Sequence, residues 1–135
     1  MNKTELKEKI NNELKSKFDF VEDTMIFPDE YANLNGDFPY VTIVFSSWKP
    51  QTTALYGKQG ISIIGITQGD KDTISHRVDS VEAKILEVIT KSEIKMNILE
   101  IDNNSLFTPF GLDAGLRLPY GGVRFECEVS NVRAI

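Results

Sequence analysis

The sequence predicts an α+β fold: a two-layer sandwich in which a mostly antiparallel sheet of four to five strands carries two helices on one face and extends a long β-hairpin arm. Three observations predict it. Leu6, Ile10, Leu14 and Phe18 recur at helical spacing, and so do Ile74, Val78, Val81, Ile85, Val88 and Ile89. Around these two segments stand β-branched and aromatic runs separated by turn residues. The 135 residues, 41% hydrophobic and 26% charged, have the proportions of one globular domain spanning 1–135.

The first helix is expected over residues 4–17, with Thr4 as its N-cap and Glu5/Lys9 and Glu13/Lys17 as i,i+4 pairs on its exposed side. Residues 21–27 read as a short strand, and residues 28–37, rich in breakers, as a connection. The run Phe38, Pro39, Tyr40, Val41, Thr42, Ile43, Val44, Phe45 reads as a strand whose proline fits its beginning or an edge. A polar, turn-rich connection of about fifteen residues, 46–60, then leads to a strand over 61–67. There Ile61, Ile63, Ile64 and Ile66 supply both faces, as in a central strand. The second helix is expected from Asp72 or Thr73 to about Lys91. A strand over 95–101, an irregular stretch over 102–122 and a final strand complete the order. In that last strand Val123, Phe125, Cys127 and Val129 alternate with Arg124, Glu126, Glu128 and Ser130.

The net charge is −5, and residues 18–36 carry five carboxylates without a basic partner. No stretch offers a basic stripe interleaved with aromatics, so specific nucleic-acid binding is not expected. No run approaches the roughly 18 apolar residues of a membrane span, and the first ten residues lack the apolar core of a signal peptide. A reducing, cytosolic setting is expected, with Cys127 as an inert packing group.

Catalytic patterns are missing. The single His76 has no second histidine or cysteine near it in sequence, and Gly111, Gly115, Gly121 and Gly122 fit neither GxGxxG nor the P-loop spacing. Asp70, Asp72 and Asp102 would make a carboxylate site only if the fold brought them together. The expectation is a protein that is not an enzyme, has no catalytic, cofactor-binding or metal residues, and works through its surface. Trp48, Leu55 and Tyr56 in the arm, with Leu106, Phe107 and Phe110 in the late loop, are the candidates for intersubunit or partner contact, because apolar groups on long loops want partners. For Trp48 the alternative is that it tucks onto its own domain. The acidic run holding Glu22, Asp23, Asp29 and Glu30 reads first as a solvated connection, and in the sharper alternative as a surface that repels a polyanion or meets a basic partner.

In this order of elements the chain resembles the tail terminator, or tail completion, proteins of long-tailed bacteriophages, the minor-tail-protein-U-like group. The resembling features are the helix over 4–17, the strand opening Phe38-Pro39-Tyr40-Val41-Thr42-Ile43, the long connection before 61–67, the helix over 72–91, and the turn Pro119-Tyr120-Gly121 into the last strand. The resemblance implies a structural virion or prophage protein, assembled in the host cytoplasm and placed in the virion tail. It would cap the tail tube as a hexameric ring, end tube polymerisation and help join tail to head. It implies as partners other copies of the chain, the tail tube protein and a head–tail connector protein, and it implies no cofactor and no membrane. On it, Glu22, Asp23, Asp29 and Glu30 would face a channel through which DNA passes. The rival readings are a small cytosolic enzyme or ligand-binding domain, marked by a deep pocket with convergent polar groups, and an adaptor of a contractile injection apparatus.

Overall fold

The computed structural model describes residues 1–23, 38–52, 55–104 and 119–134. These residues form α1 (Lys3–Lys15), β1 (Phe20–Glu22), β2 (Tyr40–Pro50), β3 (Tyr56–Gln68), α2 (Ile74–Lys91), β4 (Asn97–Asn104) and β5 (Tyr120–Arg133). The strands make one sheet in the order β1-β2-β3-β5-β4. β1 runs parallel to β2, and the β2–β3, β3–β5 and β5–β4 pairings are antiparallel. The chain is therefore α+β, with both helices on one face of a mixed, mostly antiparallel sheet.

That face holds the main core. Leu6, Ile10 and Leu14 of α1 and Ile74, Val78, Val81, Ile85, Val88 and Ile89 of α2 are buried against Val41, Ile43, Ile61, Ile63, Val123, Phe125 and Cys127. Helical spacing on one side and period-two alternation on the other bring these sets together. The alternate residues of β3 point the other way. Ile64 and Ile66, with Phe38, Val44 and Tyr120 packed on them, form a second apolar cluster on the face away from the helices.

Several boundaries differ from the sequence expectation. α1 begins before Thr4, because Asn2 is the cap: its Oδ1 accepts from the Glu5 backbone N–H at 2.9 Å. Asparagine satisfies an orphan donor at least as well as threonine, so the helix starts where Asn2 allows. α2 starts after Thr73, as expected, but the turn before it is organised by Asp70. The Asp70 Oδ1 accepts from the backbone N–H of Asp72 and Thr73, each at 2.9 Å, and from the Thr73 hydroxyl at 3.0 Å. The strand expected over 95–101 lies at Asn97–Asn104, and β1 has three residues, with residues 24–27 outside the described set.

The largest correction concerns the arm. Instead of a connection over 46–60, β2 continues to Pro50 and β3 begins at Tyr56, which leaves only residues 51–55 between the two strands. The ladder runs on through polar residues because it is made by the backbone, which needs no apolar side chain. β5 follows β3 to the same end, pairing Val132 with Gly57 and Arg133 with Tyr56. The arm is thus three strands wide. A bulge in β5 adjusts the register between Gly57 and Gln59, and Asn131 there takes φ 60, a left-handed conformation that asparagine tolerates.

Candidate functional site

The arm positions the aromatic and apolar residues singled out in the sequence, and it treats them differently. Trp48 is half-buried on the helix side and packs against the main core. Its Nε1–H donates to the Val132 carbonyl at 3.0 Å, and the Lys3 ammonium stands 5.9 Å from the ring centroid. Gly57 makes room for it: a Cβ there would lie 2.5 Å from the indole. Trp48 is therefore engaged by its own chain. Leu55 and Tyr56 are instead exposed, at 65% and 42%.

These two side chains sit on a fastened tip. The Gln51 N–H donates to the Tyr56 carbonyl, the Ala134 N–H to the Leu55 carbonyl, and the Asn131 N–H to the Gln51 Oε1, all at 2.9 Å. Such a tip offers apolar area at little further ordering cost, which suits docking. Leu106, Phe107 and Phe110 lie outside the described residues, as do Asp29 and Glu30. Glu22 and Asp23 are exposed at the end of β1.

Two exposed apolar residues were not singled out in the sequence. Leu99 is 60% exposed and Ile101 40%, both on the edge strand β4. The register of β4 against β5 shifts between Ile98 and Glu100, so Leu99 is the extra residue of a bulge. In the sequence both fall within the strand expected over 95–101, with no face assigned to either. The signal that marks the strand as an edge is its acidic and amide content, with Glu100, Asp102, Asn103 and Asn104 in close succession.

On the sheet face away from the helices, a polar row crosses three strands. The Ser62 hydroxyl donates to the Glu126 carboxylate at 2.8 Å, Arg124 meets Glu126 at 3.2 Å and Glu100 at 3.8 Å, and Lys58 meets Glu128 at 3.7 Å. Each charge has a partner across the strands, a cross-strand arrangement that supports the sheet.

The titratable groups considered in the sequence are dispersed. Asp70 and Asp72 lie in the turn before α2, Asp102 lies on β4, and His76 is exposed on α2. Among the described residues no three His, Cys, Asp or Glu side chains converge as a metal site. Cys127 is buried, and burial, helped by the Glu126 charge, pushes its thiol up to about 12. The hydroxyl and backbone donors of Thr73 and Asp72 hold the Asp70 carboxyl below its ordinary value. A cleft of about 490 Å³ lies between the C-terminal ends of the two helices, lined by Lys9, Asn12, Glu13, Lys17, Glu87 and Lys91. There Glu87 accepts from Lys91 at 2.8 Å and meets Lys17 at 3.4 Å, and these contacts keep its carboxyl below the usual range. A carboxylate so paired is a poor proton acceptor. No family model matches the chain, and no curated protein matches it at a significant level.

Proposed function

We propose that the protein is a structural component of a long-tailed phage or prophage, which closes into a ring on the end of the tail tube, ends its polymerisation and offers a surface for joining the head. The single observation that carries the reading is the fastened tip: Leu55 and Tyr56 are held outward at the end of a three-stranded arm. Exposed apolar groups on an ordered projection fit a protein whose product is a contact. The α+β layout supports it, because a helical layer on one face and an arm of the same sheet give one subunit separate surfaces for its neighbours and for the tube. In this reading the partners are other copies of the chain, the tail tube protein and a head–tail connector protein. The site of action is the virion tail, the chemistry is noncovalent and needs no cofactor, and the protein is not an enzyme.

The test is absolute molar mass by light scattering over a concentration series, with negative-stain microscopy of the peak fractions. Six copies of a 15.2 kDa chain give about 91 kDa, and rings with a central opening are expected at that mass. A chain that stays monomeric, alone and when mixed with tail tubes of its own phage, overturns the reading.

A further inference from the structure

Among the described residues the sheet has two open edges, and they carry opposite charge. β4 forms one of them over eight residues, Asn97–Asn104. At the other edge β1 pairs only with Tyr40, Val41 and Thr42 of β2. Among the described residues no strand covers the outer side of β2 over residues 43–50, a second free stretch of the same length. An open edge is a row of unpaired backbone donors and acceptors that favours pairing with another chain.

Around β4 the charges are acidic. Glu100 and Asp102 lie on the strand, and Asp79 of α2 accepts from the Asn103 amide at 2.9 Å, which turns this flank of the helix toward the edge. Glu82, one turn on from Asp79, shares that flank. Leu99 and Ile101 supply exposed apolar area among these carboxylates. Along the free half of β2 the charges are basic. Lys49 is on the strand, and α1 sets the Lys7 ammonium 5.0 Å from the Phe45 ring centroid and the Lys3 ammonium 5.9 Å from that of Trp48. The acidic Glu22 and Asp23 border this stretch at its Thr42 end, since β1 runs parallel to β2 and pairs Glu22 with Thr42, and the basic groups follow from Phe45 to Lys49.

Direction and face agree as well. Three successive antiparallel pairings separate β2 from β4, so β4 runs opposite to β2. If β4 of one copy is laid beside residues 43–50 of another with the helical layers on the same side, the new pair is antiparallel. We infer that these two edges are the complementary halves of one head-to-tail self-contact: β4, with Leu99, Glu100, Ile101 and the Asp79/Glu82 flank of α2, docks on the free half of β2, with Lys49 and the Lys3/Lys7 side of α1. Pairing of β4 with a second β4 is disfavoured, since it brings carboxylates of both copies onto one seam, and the bulge at Leu99 further spoils a flat edge. A head-to-tail contact of this kind repeats from copy to copy.

The contact stands apart from the phage reading, and charge reversal tests it. Variant one carries Glu82→Lys and Glu100→Lys; variant two carries Lys3→Glu and Lys49→Glu. Lys3, Lys49 and Glu100 are exposed and Glu82 is partly buried, and circular dichroism with thermal melts checks that both variants fold. Sedimentation equilibrium reads the association. Either variant alone should associate about tenfold or more weakly than the unaltered chain, because it presents the same sign on both edges. An equimolar mixture should recover to within about threefold, since each edge of one variant then meets an opposite edge of the other. Three results overturn the inference: unaltered association of variant two, no recovery in the mixture, or an original chain that remains monomeric up to about 1 mM. Recovery as open chains without rings supports the contact and sinks the ring; closed rings from each variant alone do the reverse.

Discussion

Trp48 shows how one side chain changes meaning once its neighbours are placed. In the sequence it is the sole tryptophan of a polar segment, which marks it equally for a partner or for its own core. The structure seats it over Gly57 and bonds it to the Val132 carbonyl, contacts that come from residues 9 and 84 positions away and leave no local trace. Trp48→Ala should therefore act on the fold first, lowering stability by about 2–4 kcal/mol through lost packing and an unmade hydrogen bond. Denaturant unfolding checks this, and an unchanged midpoint would return Trp48 to the list of partner contacts. Cys127 was legible, because strict alternation in β5 sets it beside Val123, Phe125 and Val129 on the buried face. Its thiol should resist an aromatic disulfide reagent near pH 8 until the chain unfolds, and prompt labelling of the folded protein would contradict its burial. The sign of its alkaline effect follows from a raised pKa. Its contribution is complete below the ordinary 9.0 and is lost as pH rises toward about 12, where the unfolded chain ionises more readily.

At the scale of elements, helices were readable and strand ends were not. Six apolar residues at 3.6 spacing leave α2 no other amphipathic solution, and the core-facing set of the structure is that same six. The strands of the arm run through Ser46, Ser47, Lys49, Lys58 and Gln59, where side-chain pattern carries no instruction and the backbone ladder decides. β1 is three residues held by a parallel pairing with β2, and β5 continues past its alternation through a bulge at Asn131. Both depend on partners remote in sequence. The start of α2 is a local device that yields a pH prediction. Asp70 ties the turn through Thr73 and Asp72, and those hydrogen bonds favour its ionised form. A depressed folded pKa gives stability that is complete above the ordinary 3.8 and is lost as pH falls below it. Asp70→Ala should lower the melting temperature at neutral pH and flatten its fall below about pH 4; parallel acid limbs for the two proteins would show that the turn does not depend on this charge.

For the whole molecule, the apolar tip of the arm and the charged edges of the sheet belong to different surfaces, and salt separates them. Contacts between exposed charges are screened as the Debye length falls from about 10 Å at 0.1 M to about 3 Å at 1 M salt, whereas burial of Leu55 and Tyr56 is not weakened this way. Self-association through the Lys3/Lys7/Lys49 edge and the Glu82/Glu100 edge should therefore weaken steadily with sodium chloride. The paired substitution Leu55→Ser with Tyr56→Ser should leave both the unfolding midpoint and this salt-dependent association nearly unchanged, within about 0.5 kcal/mol of stability, since both side chains already face water. Its effect should fall on the second surface, as loss of binding to the tube end. If the tip substitutions instead abolish self-association at low salt, the arm is the lateral contact, and the two surfaces exchange roles in the ring.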